Sequence, residues 1–143
     1  MIHGLDTTFI VQAEVVGHPG HARARALLQR LLESGDSLAL APQVLAEFVH
    51  VVTDERRFAR PLPMPAARDR AERWWDSEEI VRAFPNDHTV PMFITWHREH
   101  ALGRKRLLDT LLAATYLSNG IRSLVSTNTR DFRVFGRFSV VEP

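Results

Sequence analysis

The chain has no cysteine, which excludes a disulfide framework and any metal site built on thiolates. Such a composition fits a reducing compartment. Lysine is almost absent too: Lys105 is the only one, and every other basic side chain among the 18 Lys and Arg residues is arginine. The formal net charge of +1 excludes a polycation that grips nucleic acid by bulk charge. Arginine's planar fork suits bidentate phosphate contacts, but arginine-rich codon usage gives the same composition, and both explanations stand. No uninterrupted apolar run approaches the roughly 20 residues of a membrane span. The opening stretch to Asp6 lacks a basic segment followed by an apolar one, so no signal peptide is expected. Internal repeats and low-complexity segments are also missing. These absences together lead us to expect a soluble, cytoplasmic protein without membrane contact.

What is present is an ordinary globular balance, 45% apolar and 24% charged over 143 residues, which suits one domain spanning residues 1–143. Short apolar runs alternate with longer helical patterns, the signature of a parallel α/β domain. Strands are expected at MIHGL, at SLALA (37–41), at 80–84, at 123–126 and at 138–141. Helices are expected over 7–16, 21–33, 42–53 with Pro42 in its first turn, 66–77, 86–100 and 107–117. The last of these is apolar almost all round and is expected to be buried. Residues 59–65 read as a proline-rich loop, and 103–106 (GRKR) as a basic break.

Four acids stand where an open α/β sheet builds its site, outside the carboxyl ends of strands. Asp6 ends the first strand, Glu47 lies in the helix after the second, Asp109 opens the apolar helix, and Asp131 follows the fourth strand. If they converge, a hard cation such as Mg²⁺ or Mn²⁺ is the natural counter-charge. Each acid also has a plainer explanation. Asp6 before Thr7 and Thr8 suits a helix cap; Glu47 suits an exposed helix face; Asp131, in TNTRDF, suits a turn. Asp109, set among leucines and alanines, is the hardest to explain without a partner for its charge. His97 and His100 share a helical face but lack the glutamate of a zinc protease. Trp74 and Trp75 suit an anchor between elements more than a base-stacking platform.

In these same segments the chain resembles the PIN-domain family. LDTTFIV is similar to that family's opening, VLAEFVHVVT to its second motif, LLDTLLAATYLSNG to its third and LVSTNTRDF to its fourth, all in the family's order. The size resembles the VapC-type toxins. The resemblance implies a three-layer α/β/α sandwich with a mostly parallel sheet of four to five strands, and a metal-dependent endoribonuclease acting as the toxin of a toxin–antitoxin pair. It implies catalytic roles for Asp6, Glu47, Asp109 and Asp131, with Asp6 and Asp109 as the principal ligands of Mg²⁺ or Mn²⁺ and Glu47 as ligand or base. Asn128 stands where many relatives have an aspartate and brings only a neutral carbonyl; Thr127 resembles the hydroxyl beside the family's site. Arg104, Lys105 and Arg106 are the candidate grips on RNA phosphates, with a solvated loop as the plainer reading, and Arg56, Arg57 and Arg60 can extend the track. The implied partners are RNA, a VapB-type antitoxin and a second copy of the chain. The alternatives are a housekeeping RNA-processing nuclease, a non-catalytic RNA-binding domain and a phosphoacceptor receiver, though the acidic pair and late strand-end lysine of a receiver are missing.

Overall fold

A computed structural model describes all 143 residues. Five parallel strands form one sheet in the order β3-β2-β1-β4-β5. They are β1 (Ile2–Leu5), β2 (Ser37–Leu40), β3 (Ile80–Arg82), β4 (Ser123–Val125) and β5 (Ser139–Val141). The helices between them are α1 (Thr7–Glu14), α2 (His21–Glu33), α3 (Pro42–Val52), α4 (Met64–Asp76), α5 (Thr89–Glu99), α6 (Leu107–Ser118) and α7 (Thr129–Arg133), with a 3₁₀ turn at Arg104–Arg106. Crossovers between parallel strands are right-handed. The chain therefore lays α1 to α4 on one face while the sheet grows from β1 to β3, and α5 to α7 on the other once it returns to β4. The contacts agree: α1 packs on α2 and α3, and α3 on α4, whereas α6 packs on α5 and α7. This is the three-layer α/β/α sandwich with a parallel sheet that the sequence implied. No helix is long and apolar enough to cross a membrane.

The strands are short and apolar because helices cover both faces; all of β4 and three of the four residues in β1 and in β2 are buried. Several boundaries differ from the expectations for physical reasons. The first helix stops at Glu14, because its cap Val15 is already extended. Helix α4 begins at Met64, inside the segment read as loop, since Pro65 falls in a first turn where no amide hydrogen is needed. Pro91 lies in the first turn of α5, which starts at Thr89 rather than at residue 86. The strand expected over 80–84 ends at Arg82, and Phe84 is exposed. Helix α6 is not buried all round: Leu107 and Leu108 are exposed at its amino end. The short α7 was not foreseen, because its five residues are too few for a helical period to show.

Tyr116, the only tyrosine, fixes the carboxyl ends of the central strands. Fully buried, its hydroxyl donates to the Leu5 carbonyl, lies 3.2 Å from the Ala39 carbonyl, and accepts from the Ala41 amide at 3.4 Å. Burial holds this phenol protonated far above the usual tyrosine range. Its ring lies against Gly4, where an added Cβ would stand 2.7 Å from Tyr116 Cδ2 and 2.7 Å from Leu124 Cδ2. The strand that delivers Asp6 can thus approach α6 only with glycine at this position. Gly4→Ala is expected to lower stability by about 1–3 kcal/mol through overpacking, measured by urea denaturation. Gly103→Ala, where nothing lies within 4 Å of the added carbon, should change stability by less than about 0.5 kcal/mol.

Candidate active site

The sheet reverses its winding between β1 and β4, and the crevice at such a switch point is where open α/β sheets bind ligands. Asp6 follows β1 there and Ser126 follows β4. Asp6 is the N-cap of α1, with extended backbone and a side-chain oxygen that accepts from the Phe9 amide at 2.9 Å. Thr8 Oγ1 lies 2.9 Å from both carboxylate oxygens, and Ser126 Oγ donates to Oδ2. The capping role and the site role weighed for Asp6 therefore coincide in one side chain. Only 5% of the residue is exposed. Burial raises its pKa from 3.8 to about 6, against the lowering effect of the Ser126, Phe9 and Thr8 hydrogen bonds, and the negative charge of Asp109 adds to the rise. No cation is among the groups that act on it.

Glu47 projects half-buried from the middle of α3. Thr7 Oγ1 donates to its Oε2 at 3.0 Å, and Gln43 Nε2 lies 3.5 Å from Oε1. Gln43 also donates to the Leu108 carbonyl at 3.1 Å, which ties α3 to the start of α6. Asp109, in the first turn of α6, is half-buried. Burial raises its pKa, Arg106 lowers it, and the charges of Asp131 and Glu47 raise it further. Asp109 thus acts electrostatically on Asp6, while Glu47 and Asp131 act on Asp109, so the four acids are linked through Asp109. They do not form a finished cage: no three acidic or histidine side chains stand close enough together to hold an ion jointly.

Arg106 sits among these acids. Its Nη1 is 3.4 Å from Asp131 Oδ1, its Nη2 donates to the Asp131 carbonyl, and its Nε lies 3.9 Å from Asp109 Oδ2. That Nε is buried without a hydrogen-bond partner. Of the basic run expected to face RNA, Arg106 is turned inward because two carboxylates flank it, whereas Arg104 and Lys105 are exposed. Asp131 belongs to the first turn of α7 rather than to a simple turn. Thr127 is exposed, donating to Thr8 Oγ1 at 3.3 Å and lying 3.5 Å from Gln12 Nε2. Asn128 is exposed; its amide donates to Ser126 Oγ at 2.9 Å, and its side chain does not cap α7. Sequence reasoning missed Ser126, Thr7 and Gln43. For Ser126 a signal existed: a fully buried serine at the end of a strand beside β1 needs a partner. Thr7 and Gln43 carried none, since their contacts depend on how α1, α3 and α6 pack.

A parallel α/β sandwich with acids around its switch point has the layout of domains that bind ligands outside the carboxyl ends of their strands. The comparisons narrow the class. The PIN-domain pattern matches residues 5–137, nearly the whole chain, and the chain belongs to that family. It is 28% identical over 115 residues to a VapC ribonuclease of Mycobacterium bovis and to ribonuclease VapC43 of Mycobacterium tuberculosis, covering 80% of this chain and 78% of each relative. Its fold resembles the crystal structure of Mycobacterium tuberculosis VapC20, a toxin that cleaves the sarcin–ricin loop, with a TM-score of 0.66 and 20% identity over the full length of both chains. It also resembles VapBC-1 from nontypeable Haemophilus influenzae, with a TM-score of 0.70 and 17% identity over 99% of this chain and 98% of that one.

The burial of Asp6 has a consequence for stability. Its folded-state pKa is raised, so its contribution is fully present below about pH 3.8 and is lost as pH rises through about 6. Between those pH values the loss is roughly 3 kcal/mol. Asp6→Asn is expected to flatten the stability profile between pH 4 and pH 7 by an amount of that order, read from denaturation midpoints at each pH. Parallel profiles for the two proteins would contradict the burial account.

Proposed function

We propose that this chain, as a single nuclease domain over residues 1–143, is a metal-dependent endoribonuclease and the toxin of a VapBC-type toxin–antitoxin pair. What supports the reading is that Asp109 interacts electrostatically with both Asp6 and Glu47, acids carried by three different elements around the switch point of the sheet. The donors are all hard oxygens, and no basic side chain is among the groups that act on the buried Asp6 carboxylate, which suits Mg²⁺ or Mn²⁺. Asp6 and Asp109 are the principal ligands in this proposal, and Glu47 is a further ligand or the base toward water. Held there, such an ion would supply polarisation of a phosphoryl oxygen and activation of a water.

The chain's own groups do the rest. Ser126, Thr8 and the Phe9 amide hold the Asp6 carboxylate in one orientation, and Thr7 does the same for Glu47. Asp131 keeps Arg106 beside Asp109, where it offers a fixed positive charge to an entering phosphate. Thr127 and Asn128 line the approach as supporting residues, and the exposed Arg104 and Lys105 are placed to contact the RNA backbone. Partners follow from the relatives: the Haemophilus influenzae neighbour is a VapBC protein, and another is a toxin–antitoxin complex from Klebsiella pneumoniae. A VapB-type antitoxin and a second copy of the chain are accordingly the proposed partners, and the cytoplasm the proposed location.

Purified protein should cleave single-stranded RNA with Mg²⁺ or Mn²⁺ and not with EDTA. Asp109→Asn should reduce the rate by at least about a hundredfold, the scale on which a single catalytic group acts, and Asp131→Ala by less. Cleavage that persists in EDTA, or in Asp109→Asn, would refute the proposed site.

A further inference from the structure

A cavity of about 860 Å³ opens beside the acids, and most of its lining has no part in the chemistry described above. It runs between α1, the loop after α1, the end of α3 and the loop that follows it. Its volume falls within the roughly 300–1,000 Å³ typical of small-ligand sites. Thr7, Thr8 and Thr127 form its inner wall. These hydroxyls also contact the site: Thr7 donates to Glu47, Thr8 binds Asp6, and Thr127 binds Thr8. Whatever fills the cavity is therefore continuous with whatever lies against the acids.

The lining is sorted by chemistry. Val11 is buried, and Val15, Val51 and Phe58 are half-buried, so they make an apolar floor. Arg57 and Arg60 stand exposed at the rim. Arg57 lies 3.4 Å from Asp54 with its own side chain exposed; Arg60 has no ion-pair partner. No aspartate or glutamate lines the cavity. An apolar floor with an aromatic edge, a cationic rim and no acid suits a group that is flat and apolar at one end and anionic at the other.

We propose that this cavity is a nucleotide subsite: it takes one nucleotide flanking the scissile bond of a single-stranded RNA, with its base against Phe58 and the valines and its phosphate on Arg57 and Arg60. The inference rests on the ribonuclease reading and adds to it where the strand runs. The strand leaves the acids past Thr8 and Thr127, on the α1 side, and not only past the Arg104–Arg106 turn. Single strands suit the site because their bases are free to stack on a side chain.

The test uses the Asp109→Asn protein, which should bind RNA without cutting it, and a fluorescein-labelled 12-nucleotide single-stranded RNA followed by anisotropy. Phe58→Ala should weaken binding about tenfold, the scale of one lost base–aromatic stack. Arg60→Glu, an exposed change that leaves the core intact, should weaken it at least as much. Arg60→Ala should also flatten the dependence of log affinity on log salt by about 0.7, the value for one phosphate contact on a single strand. Unchanged affinity and salt slope in both Arg60 variants would overturn the subsite. So would variants that bind RNA normally yet lose a co-purifying antitoxin, since the cavity would then seat a peptide. Cleavage of the same RNA by the wild type in Mg²⁺ is scored separately. Cleavage with unaltered binding in the variants refutes the subsite alone, whereas absent cleavage refutes the ribonuclease reading itself.

Discussion

The site depends on one constraint: the Asp6 carboxylate is buried where β1 ends, and no basic side chain compensates it. Removing a carboxylate from water is costly unless it is hydrogen-bonded, paired or protonated. The fold answers with neutral donors, an amide from α1 and hydroxyls from Thr8 and Ser126. These fix the orientation of the group without cancelling its charge, and its raised pKa records the difference. Other local choices serve the same end. Gly4 lets β1 approach Tyr116, whose hydroxyl holds the Leu5 carbonyl one residue before the acid. Ser126 ends the neighbouring strand and is in turn held by the Asn128 amide.

The second acid is treated differently. Asp109 lies near Glu47 and Asp131, and the chain meets that concentration of charge with Arg106. An arginine so placed lowers the repulsion among the acids. Its buried Nε without a partner marks the arrangement as incompletely satisfied. The site therefore combines a rigid, neutral-donor half around Asp6 with a charge-balanced half around Asp109. That asymmetry suits the proposed binding of both a cation and an anionic phosphate.

Much of this was legible in the sequence. The alternation of short apolar runs with helical periods pointed to a parallel α/β domain, because strands covered on both faces have few other ways to be written, and the family resemblance implied the sandwich. The acids stood out because each falls at a strand end or a helix start, where position has meaning. What could not be read arises between elements. The inward turn of Arg106 needs Asp109 and Asp131 at set distances, and the links from Thr7 to Glu47 and from Gln43 to Leu108 need three helices to be packed. Exposure of Leu107 and Leu108 contradicts the local pattern, since a run of leucines records hydrophobicity and not which end of the helix the fold leaves uncovered.

The central claim is that the acids around Asp6 and Asp109 form a centre built for a hard divalent cation. Calorimetric titration of Mn²⁺ into the metal-free protein, with Asp6→Asn and Asp109→Asn measured alongside, tests it most directly. The account predicts saturable binding to the wild type and its loss in both variants, each still folded by circular dichroism. Equal binding in all three proteins would contradict it.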